Sequence, residues 1–478
     1  MFFHNGKKRK LILIEINIQF CYKTFGQFSY ISPLESETLF SIMRKSLLLV
    51  VFLVSVCGSV LAQGVQDLFE APDTVCANQP VKLMSNVPGA KSHYWGFCSG
   101  YLYNYPKGEN IGSTFDLDGP GGIEIAKDDD NNYYGFIINT TGKTFTRLNF
   151  GKSLDNIPTS TDFGTMDGIF PDEATSMYLV RDEADDHWYI FVTGGTTPTT
   201  STLSRIDFGK SLSNTPNIVN FGNLENKLFA PRGVFVTKND DKWYGFLVNS
   251  GDNKILRFNL DSNISLTPTI TEVTELVPTL AGPTDIGPLV DNGKWYFFIT
   301  NGGNGTITLV EMDSLVNTAP ASNVLTGNFP TLSFPSNITL VRDCGQIHAY
   351  VTNGASHDLI KINMPAVDGP YTGIDYSNIG QILGPNGMSK VIRDRDDVFI
   401  YITNQADNSV TKVKFEACTR TNIKYSLTNT PPEYRYDTAG LYNVYYAINE
   451  GMPDMQVQCK QIRVLPIPAI FLFPEDTT

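Results

Sequence analysis

The 478-residue chain is short of helical patterning, of histidine and of positive charge, and each shortage removes a class of function. Charged residues make up only 18%, and 36 basic residues face 49 acidic ones. No basic stripe is present to hold a nucleic-acid backbone or an anionic membrane. Five histidines are too few and too scattered to form a metal-binding pair. No Gly-x-Ser-x-Gly elbow, phosphate-cradling glycine loop or zinc-type cysteine pair occurs either. Beyond the N-terminus no long segment carries a helical period. What the chain has in quantity is glycine (40), proline (27), tyrosine (22) and phenylalanine (30), a composition suited to short strands joined by tight turns. The expected class is all-β.

The apolar run Leu47 to Leu61 follows Met43-Arg44-Lys45 and ends at Val60-Leu61-Ala62, before Gln63. A basic start, a short apolar stretch and a small residue before the cut predict a secretory signal over 43–62, too short to span a membrane. Residues 1–42 then read as a mis-assigned N-terminal extension. Cys57 does not make a lipoprotein site, because Val56 before it is a poor fit for the small residue preferred there. The remaining chain carries 29 basic and 46 acidic residues, a net charge of −17. A secreted or cell-surface location is expected, with no membrane-spanning segment in the mature chain and no nucleic-acid partner. Export permits disulfides, and five cysteines remain: Cys76, Cys98, Cys344, Cys418 and Cys459.

Six times, at spacings of 50 to 55 residues, an aromatic is followed three residues later by a small polar residue or glycine: Phe136/Asn139, Phe191/Gly194, Phe246/Asn249, Phe298/Asn301, Tyr350/Asn353 and Tyr401/Asn404. A proline precedes each copy by 15 to 20 residues: Pro120, Pro171, Pro231, Pro283, Pro335 and Pro385. Each repeat holds four strand-like segments, the pattern of a propeller blade. The fourth-strand motif, Asp162-Phe163-Gly164 or Asn220-Phe221-Gly222, also stands ahead of the first proline as Asn110-Ile111-Gly112, whereas the last repeat stops at Phe415. An orphan fourth strand at the start and a missing one at the end predict a six-bladed ring over 101–416, with residues near Asn110 pairing against Val410 to Phe415.

Residues 69–100 and 417–466 fall outside the repeats. Tyr94-Trp95-Gly96-Phe97-Cys98-Ser99-Gly100, Tyr434-Arg435-Tyr436 and Gly440-Leu441-Tyr442-Asn443-Val444 resemble the signatures of the PKD domain, an immunoglobulin-like β-sandwich, with departures at Gly96, Cys98 and Ser99. The resemblance implies one sandwich cut in two by the propeller, since a guest whose ends lie close together can be inserted into a host. With Asn149 to Pro158 and its copy Asp207 to Pro216, the whole is similar to secreted surface proteins of Bacteroidota. Phe471 to Thr478 echo Phe69 to Thr74, and residues 467–478 read as a linker to a further domain.

Cys98 and Cys418 flank the propeller and are expected to bridge its neck. Cys76 is expected to pair with Cys459, and Cys344 competes for Cys418. The acidic clusters Asp128-Asp129-Asp130, Asp185-Asp186, Asp240-Asp241 and Asp394-Arg395-Asp396-Asp397 fall between first and second strands and read as turns. The sandwich attaches to one face of the disc, so the loops after the second strands occupy the other. Asn139, Asn249, Asn301, Asn353, His357 and Asn404 are therefore the expected ligand-binding residues of that free face, with an extracellular glycan or protein as partner. No catalytic residue, metal or cofactor is assigned. The function expected is a non-catalytic binding or adhesion protein, with two alternatives: a metal-dependent hydrolase of the six-bladed lactonase type, using Asn301, Asn353 and Asn404 as ligands, or a structural spacer.

Overall fold

The computed structural model describes residues 67–99, 102, 104–273, 279–316, 320–417, 419–449 and 456–467; the expected leader and the distal linker from 468 onward lie outside these. Among the described residues there is no α-helix. Six antiparallel sheets follow one another as blades, each with a second strand buried along most or all of its length.

Blade one runs Pro120–Lys127, Tyr133–Asn139, Thr144–Gly151, Thr159–Asp162 from the axis outwards, and blades two to five repeat that order. Blade six takes Pro385–Met388 and Ile392–Asp394, Asp397–Asn404 and Ser409–Phe415, then Lys107–Asn110 as its outer strand. Thr411 pairs with Asn110 and Lys414 with Lys107, so the orphan motif closes the ring and its open edge is removed.

The repeat becomes physical in the register. Each proline of blades one, three, four, five and six sits opposite the Asn that ends the second strand: Pro120 against Asn139, Pro231 against Asn249, Pro283 against Asn301, Pro335 against Asn353, Pro385 against Asn404. A bulge follows each of these prolines, which bends the free end of the inner strand. Within the sheet, Gly245 leaves room for the ring of Phe258, which would lie 1.9 Å from a Cβ there.

Two sets of bonds hold blade to blade. Near the axis, hydroxyls reach the next inner strand: Thr140 Oγ1 to Ala174 O (2.6 Å), Thr284 Oγ1 to Pro335 O (2.6 Å), Ser336 Oγ to Pro385 O (3.1 Å) and Thr403 Oγ1 to Gly121 O (2.6 Å). At the rim, arginines of the third strands donate to the following blade: Arg147 to Leu212 O (3.1 Å), Arg205 to Ile264 O (2.8 Å) and Arg257 to Leu315 O (3.0 Å). The Ser-Leu motif supplies two of these acceptors, Leu212 and Leu315, Ile264 taking the same place in blade three, and its Leu154 and Leu212 are fully buried plugs.

Beside the ring a five-stranded sheet is ordered Thr74–Cys76, Gln456–Leu465, Gly440–Ile448, His93–Ser99, Tyr425–Ser426, and a small pair, Phe69–Glu70 with Met84–Ser85, packs across the same core. Trp95 stacks on Tyr446 (3.8 Å between centroids) and Phe97 on Tyr434 (4.1 Å), joining strands from the two ends of the chain. Alternation along the strands sends Tyr94, Tyr445 and Ala447 to the opposite face, where they meet Cys344 of blade five. Arg393 of blade six lies 4.3 Å from the Tyr94 ring centre.

Candidate functional site: the axial cavity

Inner strands from all six blades enclose a cavity of about 280 Å³, lined toward the proline ends of those strands. The aromatic beat marks its level. Opposite Phe136, Phe191, Phe246, Phe298 and Tyr350 stand Glu124, Tyr178, Phe235, Gly287 and Thr339. In blade six the inner strand is broken: Ser389 exchanges bonds with Tyr401, and Lys390 occupies the break. Nearer the free face, Asp285 and Asn337 lie opposite Thr300 and Thr352.

Two carboxylates therefore reach one cavity from blades one and four. Glu124 is 4% exposed, and its Oε1 lies 3.4 Å from Lys390 Nζ, while Oε2 has no hydrogen-bond partner. Burial raises its pKa, and the charge of Lys390 offsets only part of that. Burial acts to lower the pKa of Lys390, but the carboxylate of Glu124 and the Tyr178 ring, 3.4 Å below the ammonium, outweigh it and the net shift is upward. Lys390 also donates to Leu179 O at 3.1 Å. Its side chain is 41% exposed, toward the cavity it lines.

Asp285 is held differently. Oδ1 accepts from the amide of Ile286 and Oδ2 from that of Ile338, both at 2.9 Å, and Asn337 adds a side-chain bond. Burial still pushes its pKa up to about 7, with the charge of Glu124 adding to the rise. Gly233 permits this placement, since a Cβ there would sit 2.5 Å from the Asp285 Cα. The arrangement offers a carboxyl that is protonated near neutrality, a second carboxylate beside a fixed ammonium, and an amide. The two carboxyls thus sit in different surroundings, Asp285 among backbone amides and Glu124 beside an ammonium. Both Asp285 oxygens are already taken by backbone amides, and Lys390 neutralises Glu124, so the donor set favours proton transfer over cation binding.

The expected free-face residues are elsewhere. Asn139, Asn249, Asn301, Asn353 and Asn404 are fully buried. Each Oδ1 accepts a backbone amide from the turn before its inner strand, for example Ala281 N to Asn301 at 3.0 Å and Leu383 N to Asn404 at 3.1 Å. Their Nδ2 atoms donate to neighbouring strands or loops: Asn139 to Thr146, Asn301 to Thr308, Asn404 to Thr411, Asn353 to Asp358 and Asn249 to Lys227 O. These amides are occupied in holding the blade and neither line the cavity nor face a ligand, which also removes the metal ligands of the lactonase alternative. His357 accepts from Gly384 N at 3.0 Å and ties blade five to blade six. The acidic clusters form turns, with left-handed backbone at Asn131, Asp186, Asp240, Asp241 and Arg395.

The expected Cys76–Cys459 pairing is corrected. Cys459 is bonded to Cys344, with Cα atoms 5.0 Å apart, and Cys76 is a free thiol. Parallel pairing places Cys76 beside Leu465, six residues or roughly 20 Å along the strand from Cys459. Cys344 thus does not compete for Cys418; its turn faces the sandwich. Cys98 is disulfide-bonded, and Cys418 lies outside the described residues.

No protein-family model and no curated protein matches the chain. By shape it is similar to the major allergen Mala s 1 of Malassezia sympodialis (14% identity, TM-score 0.44, covering 65% of this chain and 96% of that one). It is also similar to a Hadza microbial sialidase (9%, 0.44, covering 64% and 68%) and a family-43 glycoside hydrolase of Xanthomonas citri (9%, 0.38, covering 58% and 96%). At these identities the likeness is one of fold. The expectation of a non-catalytic binding or adhesion protein, which rested in part on the absence of a catalytic constellation, is corrected: Glu124 and Asp285 stand together on the inner strands and line one cavity. Sequence inspection passed over both because no motif surrounds them. Glu124 could have been found as the residue set opposite Phe136 across the predicted first and second strands of its blade.

Proposed function

We propose that the chain is a glycan-processing hydrolase whose reaction centre is the axial cavity. The supporting observation is the convergence of Asp285 and Glu124, from blades one and four, on a single cavity with their pKa values raised by burial. In this reading Asp285 donates its proton to the leaving glycosidic oxygen. Glu124, its charge balanced by Lys390, faces the developing oxocarbenium ion and either attacks it or activates a water. Asn337 orients the acid. The enzymes among the shape neighbours make xylo-oligosaccharides, galactosides and sialosides the first substrates to assay. Sugar release from xylotriose, β-1,3-galactobiose or 3′-sialyllactose should fall by about a thousandfold or more in Asp285→Asn and Glu124→Gln, with both variants still folded. Wild-type protein that turns over none of these, nor a wider panel of aryl glycosides, overturns the reading.

We also infer that 69–100 and 417–466 are halves of one PKD-like domain interrupted by a propeller over 101–416, in an exported protein of the Bacteroidota surface type. The sheet that interleaves His93–Ser99 between Gly440–Ile448 and Tyr425–Ser426 supports the first point. The Cys344–Cys459 bridge supports an oxidising compartment.

A further inference from the structure

In five blades the residue just before the inner-strand proline has a left-handed backbone: Gly119 (φ 60°), Ala230 (47°), Gly282 (56°), Phe334 (54°) and Gly384 (62°). The turn demands this conformation; glycine meets it at three of the five positions, and blade three uses the smallest side chain, Ala230. Blade five places a phenylalanine there, a bulky residue in a region where its Cβ crowds the backbone. Burial does not repay the strain, for the Phe334 side chain is 53% exposed.

The ring is nonetheless carefully seated. It lies between the loops that follow the second strands of blades four and five, where a Cβ at Gly302 would be 3.0 Å from its Cε2 and one at Gly354 would be 2.9 Å from its Cδ1. Blade three shows that the fold can cover such a loop without putting the covering aromatic at the left-handed position. There Phe229 covers Gly251 from one position earlier, and the small Ala230 takes the left-handed site.

Phe334 also stands at the seam that carries the acid. Thr284 Oγ1 bonds Pro335 O across that seam, and Ile338 N donates to Asp285. Three residues, roughly 10 Å of extended strand, separate Phe334 from Asn337 on the cavity wall. A flat apolar ring, exposed on the free face among the polar loops of Asn304 and Ser356, suits the C–H face of a pyranose whose hydroxyls point outward.

We propose that Phe334 is a stacking platform for a sugar unit of a glycan entering the axial cavity at the seam of blades four and five. This rests on the glycosidase reading and adds a binding subsite outside the reaction centre. The test uses the full mature chain with Asp285→Asn to stop turnover, titrated calorimetrically with xylotriose, β-1,3-galactobiose and 3′-sialyllactose. Adding Phe334→Ala should weaken binding of the accepted sugar by tenfold or more, and Phe334→Trp should retain it. Phe334→Gly in the wild-type background should raise the melting temperature, because the strain is relieved and little buried contact is lost. Sugar binding within twofold of the parent in Phe334→Ala, or a lower melting temperature in Phe334→Gly, overturns the platform and leaves the reaction centre standing. An Asp285→Asn protein that binds none of the three, from a wild type that cleaves none, overturns both.

Discussion

At the scale of single residues, Asp285 is a buried carboxyl whose titration is moved into the neutral range. Its folded pKa of about 7 lies above the unfolded value near 4, so the folded state holds the proton more tightly. Its contribution to stability is therefore complete below about pH 4, falls as pH rises from there to about 7, and is constant above. Asp285→Asn removes that fall: relative to wild type, the variant's melting temperature should gain steadily between pH 4 and 7 and then level off. A difference that is flat across this window contradicts the assignment. If Asp285 is the proton donor of the proposed hydrolase, kcat/KM should decline about tenfold per pH unit above 7, as that proton is lost. Gly233 is the silent partner of this chemistry, since any side chain there displaces the acid.

At the scale of elements, the blade is a strand meander clamped at its free end by one asparagine. Asn301, itself fully buried, illustrates the clamp: it receives Ala281 N and gives to Thr306 and Thr308. Asn301→Ala leaves a backbone amide and two hydroxyls without that partner and should cost roughly 1–3 kcal/mol in chemical denaturation. Asn301→Asp should cost at least as much, because a carboxylate cannot donate to the threonines. These clamps account for what was and was not legible in the sequence. The aromatic and the proline recur in all six blades and the asparagine in five, so the fold could be read. That asparagine reads as a surface ligand in the sequence because a loop sequence alone does not reveal partners on the neighbouring strand and in the preceding turn. Glu124 and Asp285 occur once each, 161 residues apart, and become neighbours only when the ring closes. Repetition exposes structure, whereas the site is the departure from repetition.

At the scale of the whole molecule, the ring and the sandwich are joined by side chains as well as by the chain itself. Arg393 packs on Tyr94, Lys424 lies 3.2 Å from Asp396, and Cys344–Cys459 fastens blade five to the sandwich strand Gln456–Leu465. Protein recovered after export should begin at Gln63 and yield the Cys344–Cys459 peptide in a non-reducing map. Cys459→Ser should lower stability by about 2–4 kcal/mol. A reduced Cys344 in the exported protein contradicts this geometry. The sandwich edge has a mechanical meaning too. Thr74–Cys76 and Arg463 to Leu465 run parallel and are bonded at both ends, Arg463 N to Asp73 O and Ala77 N to Leu465 O, each at 2.8 Å. Tension entering ahead of Asp73 and leaving beyond Leu465 pulls these strands in opposite senses along their length, so their bonds are loaded together in shear and cannot be unzipped singly. Everything between, propeller and cavity included, lies off the line of force, and a pull along the chain leaves the site undeformed until that short parallel ladder gives way.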